Sequence, residues 1–362
     1  PTGAGSSVNR SQVSPPMPFG PQANGRSMYE SDLAGNRVVY RADQDTHGVH
    51  EIFSAPLDGS QPALKLSIPG EDVDAFVVSP DGATVLFVVT EFTYYPPYQY
   101  QELYRVASDG SAPAVHLNSG VLDRTLPVFT SDGTRVVFET SNGSLFIVPL
   151  VGGSALGIAD DVDSFELSPG GTHAVWRVAL GPSFRLYSRP LDASHSRRAL
   201  SNELDEIAIR FSPDGNRVFY TGASTLAPRN LFSVPIDGGT PVRLNPSGNV
   251  QQFEVAPGGT HVVYVADQER AGVSELFAVP ATGLNGVKLS GSMPDSGDVA
   301  GTPAFESTPT GSELVFRADK EADDAFHLYR VALGGGAVDR LVTSPVARFA
   351  LDPEARRVAF LA

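Results

Sequence analysis

The chain contains no cysteine among its 362 residues. Disulfide bonds, thiolate metal ligands and cysteine nucleophiles are therefore excluded. Long hydrophobic runs are also missing: none approaches the roughly 20 residues of a membrane-spanning helix, so direct membrane insertion is not expected. Basic residues are scarce, since 26 Lys and Arg stand against 41 Asp and Glu and give a formal net charge of −15. Nucleic acid is not expected as a partner, because its phosphates need a basic surface.

Glycine and proline are abundant, and many of them belong to one repeated turn. In its clearest copy, residues 211–220 read FSPDGNRVFY. Proline presets φ at the first corner, aspartate bonds nearby backbone, and glycine accepts positive φ, while the apolar residues on both sides favour strands. The slot of the turn glycine recurs at intervals of 38 to 52 residues, at Gly35, Gly82, Gly133, Gly171, Gly215, Gly259, Gly311 and, as alanine, Ala355.

A second motif follows each of the first seven turns and predicts another strand. It is a tripeptide that ends in an aromatic residue, at positions 51–53, 102–104, 144–146, 185–187, 230–232, 275–277 and 327–329. A turn of the Asp-Gly type and a further short strand complete each unit, as in residues 237–244. One unit therefore predicts four antiparallel strands, named A to D in chain order.

The repeat predicts the fold class. A four-stranded sheet cannot bury both faces alone, and a period of about 40 to 50 residues with strand-type sequence is typical of propeller blades. We therefore predict an all-β fold, a β-propeller of four-stranded antiparallel blades, rather than a β-sandwich. In this interpretation residues 27–362 form a single β-propeller domain. Residues 1–26, rich in Pro, Gly and Ser, form an N-terminal tether or ring-closing segment.

The number of blades has two solutions. Seven units are complete, and residues 346–362 add strands A and B of an eighth. A propeller that does not close exposes a sheet edge. We prefer eight blades, in which residues 6–19 supply the outer strands of the last blade beside residues 358–361. Seven blades are the alternative.

The repeat also resembles a known family. The Ser-Pro-Asp-Gly turn, the strand ELFAVP at residues 275–280 and the Asp-Gly-Gly turn at residues 237–239 resemble the TolB-like propeller repeats of bacteria, also called WD40-like or PD40 repeats. The resemblance covers residues 27–362. It implies a bacterial protein that is periplasmic, exposed at the cell surface or secreted, and whose partner is a protein or cell-envelope component. Similar propellers also precede the hydrolase domain of prolyl-oligopeptidase-like serine peptidases.

Two functions follow from this interpretation. The first is a non-catalytic scaffold that binds a protein or cell-surface component. The alternative is enzymatic: the propeller portion of a larger serine peptidase, or a lyase or hydrolase that uses the central channel. The sequence lacks the Gly-x-Ser-x-Gly pentapeptide that an α/β-hydrolase needs at its nucleophile elbow. We therefore predict no catalytic residues and no cofactor within this sequence.

The predicted binding site lies on the long loops. The loops between strands B and C and between D and A lie at one end of each antiparallel sheet, and here they are acidic. Binding residues concentrate on such loops, and tyrosine offers a large contact area at low entropic cost. Rings that fold back over adjacent blades are the alternative. One B–C loop is unusually long and rich in tyrosine and proline. We predict that it is a binding site formed by Tyr94, Tyr95, Pro96, Pro97, Tyr98 and Tyr100.

A calcium site is a second hypothesis. Three B–C loops share an Ala-Asp-x-Asp/Glu phrase, and the first, residues 42–48, reads ADQDTHG. Alternating oxygen ligands before a glycine are typical of calcium loops, which points to Asp43 and Asp45. However, histidine is unsuited to a hard cation. The preferred interpretation is that the first Asp caps strand B by accepting hydrogen bonds from loop amides, with no metal bound.

Overall fold

The computed structural model describes residues 31–34, 36–94, 97–119, 126–205, 208–223, 227–283, 285–352, 354 and 357–362. Within these ranges the chain forms thirty β-strands and no helix, which confirms the predicted all-β class. Accordingly, the described part of the chain has no helix with the length and apolar character needed to cross a membrane. The predicted N-terminal segment, residues 1–26, lies outside the described residues.

The first of two compact units ends at Val162, and its described residues contain three four-stranded sheets. Each is an antiparallel meander of consecutive strands. The first sheet contains β1 (Ser31–Ala34), β2 (Arg37–Thr46), β3 (Val49–Pro56) and β4 (Leu64–Lys65). The second contains β5 (Val73–Val78), β6 (Thr84–Tyr94), β7 (Pro97–Ala107) and β8 (Val115–Ser119). The third contains β9 (Val128–Phe129), β10 (Arg135–Glu139), β11 (Leu145–Pro149) and β12 (Leu156–Ala159).

The second unit begins at Asp163, and its described residues contain four more such sheets and a two-stranded one. Counted along the chain, the fourth sheet contains β13 (Ser164–Leu167), β14 (His173–Leu180), β15 (Ser183–Pro190) and β16 (Arg198–Ala199). The fifth sheet contains β17 (Ala208–Phe211), β18 (Arg217–Gly222), β19 (Asn230–Pro235) and β20 (Val242–Arg243). The sixth and seventh contain β21 (Val250–Val255), β22 (His261–Ala266), β23 (Glu275–Pro280) and β24 (Val287–Lys288), then β25 (Phe305–Ser307), β26 (Glu313–Ala318), β27 (His327–Ala332) and β28 (Asp339–Arg340). The eighth sheet contains β29 (Arg348–Leu351) and β30 (Val358–Leu361).

The sheet order confirms the predicted four-strand units and the β-propeller class of fold. In seven sheets the strands A to D follow one another as neighbours. The eighth sheet holds the A and B strands predicted for an eighth unit. Residues 6–19, predicted to complete it, lie outside the described residues, so the number of blades and the single domain over residues 27–362 stay predictions.

Six of the A–B turns share one hydrogen-bonded geometry. In the turn of the fifth sheet, the Ser212 amide donates to the Arg217 carbonyl at 3.0 Å and the Gly215 amide donates to the Ser212 carbonyl at 2.8 Å. The first sheet does not have this six-residue turn, since Ala34 of β1 pairs directly with Arg37 of β2. The same two bonds form around the other turn glycines, Gly82, Gly133, Gly171, Gly259 and Gly311. All six glycines have φ between 63° and 73°, as the turn requires.

Successive A–B turns of the second unit contact one another. In three of these turns the glycine, Gly215, Gly259 or Gly311, lies against the proline of the preceding turn. A methyl group on Gly215 would lie 3.6 Å from Pro169 Cδ, and one on Gly259 would lie 3.0 Å from Pro213 Cδ. These contacts place consecutive sheets side by side and set their spacing at the turn end.

Each four-stranded sheet has a stacked aromatic pair at its centre. The two rings come from directly opposite residues of strands B and C, with centroids 5.2 to 5.9 Å apart and interplanar angles of 14° to 28°. Such cross-strand pairs stabilise a sheet beyond the area that they bury. The pairs are Tyr40–Phe53, Phe87–Tyr104, Phe138–Phe146, Trp176–Tyr187, Tyr220–Phe232, Tyr264–Phe277 and Phe316–Tyr329.

Apolar clusters join neighbouring sheets of the second unit. Phe219 of the fifth sheet packs in one cluster with Tyr264 of the sixth, and Val263 of the sixth packs with Phe316 of the seventh. All four side chains are buried, and burial of a side chain of this size contributes about 2 kcal/mol. The sixth sheet thus uses both faces for the core, and the sheets stabilise one another.

The turn contacts predict unequal effects of two matched glycine substitutions. Gly215→Ala should lower the free energy of unfolding by about 1 kcal/mol, because a side chain at positive φ is strained. Gly259→Ala should cost about 2 kcal/mol, since its methyl group would also press on the rigid Pro213 ring 3.0 Å away. Urea denaturation of both variants measures the difference. Equal losses would contradict the stacking of turns.

The turn aspartates predict an acid-sensitive component of stability. The hydroxyls of Ser79, Thr130 and Ser212 donate to the carboxylates of the adjacent turn aspartates, and backbone amides donate as well. These bonds lower the pKa of Asp81 and Asp214 and lower the pKa of Asp132 to about 2.

A lowered pKa in the folded state means that the stabilisation is present above the ordinary pKa of aspartate, about 3.9, and is lost as the pH falls through the lower folded value. Asparagine at these three positions keeps an acceptor oxygen but removes the charge. The triple Asp→Asn variant should therefore lose less of its melting temperature than the native chain between about pH 4 and pH 2. Parallel melting curves over this range would contradict the assignment.

Candidate functional site

The Asp43 carboxylate caps strand B, as the preferred interpretation predicts. It is 7% exposed, and its Oδ2 accepts a hydrogen bond from the Gly48 amide at 3.2 Å. The two related loops repeat the bond, since Asp267 accepts from the Gly272 amide at 3.4 Å and Asp319 accepts from the Asp324 amide at 3.1 Å. In all three loops the first aspartate bonds an amide five residues later.

Asp45, the second residue of the calcium hypothesis, faces a different partner. Its carboxylate lies 2.6 Å from Lys65 Nζ, whereas Asp43 lies 3.4 Å from His47 Nδ1. Each of the two carboxylates therefore has a protein partner of its own. A calcium ion at this loop stays the untested alternative to the cap.

Two buried glutamates at the start of strand C organise the same end of their sheets. Glu51 is 1% exposed and Glu275 is fully buried. Lys65 Nζ lies 2.8 Å from both carboxylate oxygens of Glu51, and Lys288 Nζ bonds Glu275 in the equivalent place. Each lysine also pairs with the acidic residue of its B–C loop, Asp45 or Glu269. Burial alone would lower the pKa of each lysine, but these bonds and negative charges outweigh it and raise the pKa.

One group of three acidic side chains in the described residues could hold a cation by geometry. The carboxylate oxygens of Asp319, Asp323 and Asp324 lie within 4.8 Å of one another. Asp319 is already used by the loop itself, because the amides of Asp298 and Asp324 both donate to it. Asp323 and Asp324 are exposed. This trio lies in the third loop of the shared phrase, not in the one that the sequence indicated.

The tyrosine-rich segment is a hairpin extension rather than the irregular loop that we expected. β6 and β7 remain paired from Thr84↔Ala107 to Tyr94↔Pro97. The neighbouring strands stop earlier, since β5 last pairs at Val89 and β8 last pairs at Glu102. The five outer pairs, from Thr90↔Gln101 to Tyr94↔Pro97, therefore form a two-stranded ribbon, about 15 Å long at 3.4 Å per residue.

The predicted binding residues lie in this ribbon, named here the β6–β7 ribbon. Tyr94, Pro97, Tyr98 and Tyr100 occupy paired backbone positions, and Tyr95 and Pro96 lie outside the described residues. At the base of the ribbon, the Asp74 carboxylate accepts hydrogen bonds from the Thr90 hydroxyl and, at 3.1 Å, from Gln101 Nε2. The strands are thereby fixed where the ribbon leaves the sheet.

A row of charges on strand A of four successive sheets escaped the sequence analysis. Glu166, Arg210, Glu254 and Glu306 stand directly after Phe165, Ile209, Phe253 and Phe305 in their strands. Burial raises the pKa of Glu166 while Arg210 opposes the rise. Burial and then the charge of Glu306 raise the pKa of Glu254, again opposed by Arg210. Each of the four charged residues stands five positions before the turn glycine of its own sheet, so aligning the repeats on that glycine would have revealed this first-strand row.

Comparison with solved structures supports the fold. The chain is similar to dipeptidyl peptidase 4 of Porphyromonas gingivalis at 12% identity and a TM-score of 0.52, covering 93% of this chain and 56% of the peptidase. At this identity the similarity shows the fold alone. The chain thus spans little more than half of that protein.

TolB proteins are also among the similar structures. A putative TolB of Agrobacterium tumefaciens has 18% identity and a TM-score of 0.36, covering 69% of this chain and 94% of that one. TolB of Acinetobacter baumannii has 12% identity and a TM-score of 0.34, covering 86% and 80%. No protein-family model and no curated protein matches the sequence. The sheet order and the similarity to the peptidase support the β-propeller class of fold.

The buried glutamates predict a large effect of removing their lysine partners. Lys65→Met should lower the free energy of unfolding by about 3 kcal/mol, because it leaves the Glu51 carboxylate buried and unpaired. Adding Glu51→Gln should recover most of this loss. Asp45→Asn is the matched control and should cost less than about 1 kcal/mol, since that carboxylate is exposed. A Lys65→Met loss as small as the control's would refute the importance of the pair.

Proposed function

We propose that this chain is a non-catalytic β-propeller scaffold that binds a protein or cell-surface component through the β6–β7 ribbon and the loop end of its sheets. The observation that carries the proposal is the ribbon itself. Its five outer pairs have no third strand in the described residues. The ribbon extends beyond the four-stranded part of its sheet, and this extension favours a role outside the fold.

The composition of the ribbon supports recognition of a macromolecule. Residues 91–100 read EFTYYPPYQY, with four tyrosines, one phenylalanine and two prolines. Tyrosine and phenylalanine supply contact area with few rotatable bonds, and proline limits the motion of the tip. The ribbon edges also offer backbone groups to which an extended segment of a partner can add.

The net charge of the chain favours a partner that is not strongly acidic. The chain carries a net charge of −15. Several loop carboxylates are neutralised locally, for example Asp163 by Arg177 and Glu203 by Arg185. We further propose a periplasmic, cell-surface or secreted location on the basis of the TolB-like repeat, and fractionation of the source cells would test it.

A photocrosslinking experiment tests the ribbon. A photoreactive amino acid at Gln99 should give one defined adduct in the native cell envelope, identified by mass spectrometry, whereas the same probe at Asn216, in an A–B turn, should not. Tyr94→Ser, Tyr98→Ser and Tyr100→Ser together should remove the adduct, because they remove most of the aromatic contact area. Leu57→Ser with Leu64→Ser, two exposed apolar residues of the same unit, is the control and should leave it unchanged. An adduct that survives the tyrosine changes would refute the proposal.

The alternative function is the propeller portion of a larger serine peptidase. The similarity to dipeptidyl peptidase 4, which covers 93% of this chain, favours it. A fluorophosphonate that labels the polypeptide purified from its source would support this alternative over the scaffold.

A further inference from the structure

The only tryptophan of the chain is buried with an unsatisfied donor. Trp176 is 0% exposed and stacks on Tyr187, yet its indole Nε1 has no hydrogen-bond partner within the described residues. At the same place in other sheets, the hydroxyls of Tyr40 and Tyr264 donate to nearby glutamine side chains. Buried polar groups are normally paired, so the indole N–H indicates an acceptor that the described residues do not provide.

A cavity lies beside this tryptophan, between strand A of the fourth sheet and strand A of the fifth. Its volume is about 240 Å³, and its apolar wall is formed by Phe165, Trp176, Leu186 and Ile209. Pockets for drug-sized ligands are usually larger, about 300 to 1,000 Å³. The space therefore suits a group of the size of one amino-acid residue.

Three charged side chains line the same cavity. Glu166 and Arg210 belong to the first-strand row, and Arg177 belongs to strand B of the fourth sheet. The Arg177 guanidinium is already paired, since its Nε lies 2.5 Å from the Asp163 carboxylate. Within the described residues Arg210 makes one hydrogen bond, from Nη1 to the Ile209 carbonyl at 2.8 Å. Its remaining N–H groups are available to an anion.

These groups define the chemistry of a ligand. The indole N–H needs an acceptor oxygen, the Arg210 guanidinium favours a carboxylate, and the apolar wall favours a hydrocarbon side chain. Glu166 disfavours ligands with several negative charges and tolerates an ammonium group. We propose that this cavity, the Trp176 pocket, binds an α-carboxylate that carries an apolar side chain, as found in a free amino acid or at the C-terminus of a peptide. The proposal does not depend on the β6–β7 ribbon.

The tryptophan is a built-in reporter for this site, because it is the only one in the chain. Titration with N-acetyl-leucine should change the tryptophan fluorescence saturably, whereas leucinamide, which lacks the carboxylate, should not. Arg210→Gln should weaken the binding of N-acetyl-leucine about tenfold, as expected for the loss of a charge-assisted hydrogen bond. Arg243→Gln, an exposed arginine on β20, is the matched control and should leave binding unchanged.

Trp176→Phe tests the indole without removing the aromatic stack, because Phe138 and Phe316 occupy the same slot in other sheets. Calorimetry should show weaker binding of N-acetyl-leucine to this variant at a melting temperature close to that of the native chain. The absence of saturable binding, equal binding of leucinamide, or an Arg210→Gln variant with native affinity would overturn the proposal.

The two sources of the carboxylate are distinguished by their amino group. If the pocket takes a free amino acid, leucine should bind more tightly than N-acetyl-leucine, and Glu166→Gln should abolish that preference because it removes the partner of the ammonium group. If the pocket takes a peptide C-terminus, N-acetyl-leucine should bind at least as well as leucine, and Glu166→Gln should have little effect. Either result supports the carboxylate site.

Discussion

The interaction on which this structure depends most is the stacked aromatic pair at the centre of each four-stranded sheet. Because the two rings come from opposite residues of strands B and C, they hold the two central strands of the sheet in register. The strands that carry these pairs are buried on both faces. For example, Phe219 and Tyr220 are adjacent residues of β18, and both are almost fully buried. Adjacent strand residues point to opposite faces, so such a sheet needs a neighbour on each side. The chain meets this need by repetition.

Local chemistry was readable from the sequence where the interacting groups lie within a few residues. The Ser-Pro-Asp-Gly turn and the cap at Asp43 were predictable, because donor and acceptor are at most five residues apart. The β6–β7 ribbon was not, because consecutive prolines favour a loop. Proline at the first position of a strand, as at Pro97 in β7, leaves the ladder intact, and strand pairing reaches it. The length of a hairpin depends on how many residues of its two strands pair with each other. The sequence of one strand alone does not reveal that number.

The candidate sites show the same limit. Glu51 and Lys65 are fourteen residues apart on different strands, so no short sequence motif contains both of them. Such ion pairs reduce the negative charge that the acidic composition predicts for the loop end. A net charge of −15 suggested a strongly negative loop end, but lysines and arginines of strands B, C and D neutralise part of it. Many acidic residues there act as caps and structural ion pairs, so the proposed recognition relies more on shape and apolar contact than on charge alone.

A repeat protein makes departures from its own pattern informative. The aromatic slot on strand B is filled by phenylalanine or tyrosine in six sheets and by Trp176 in one. Phenylalanine would fill the slot without a buried donor, and tyrosine can satisfy its hydroxyl within its own sheet, as Tyr264 does with Gln268. The indole therefore adds an N–H that has no partner among the residues that the structure describes, next to a cavity and an arginine. Where a locally costly choice has no structural compensation, a functional reason is the better explanation.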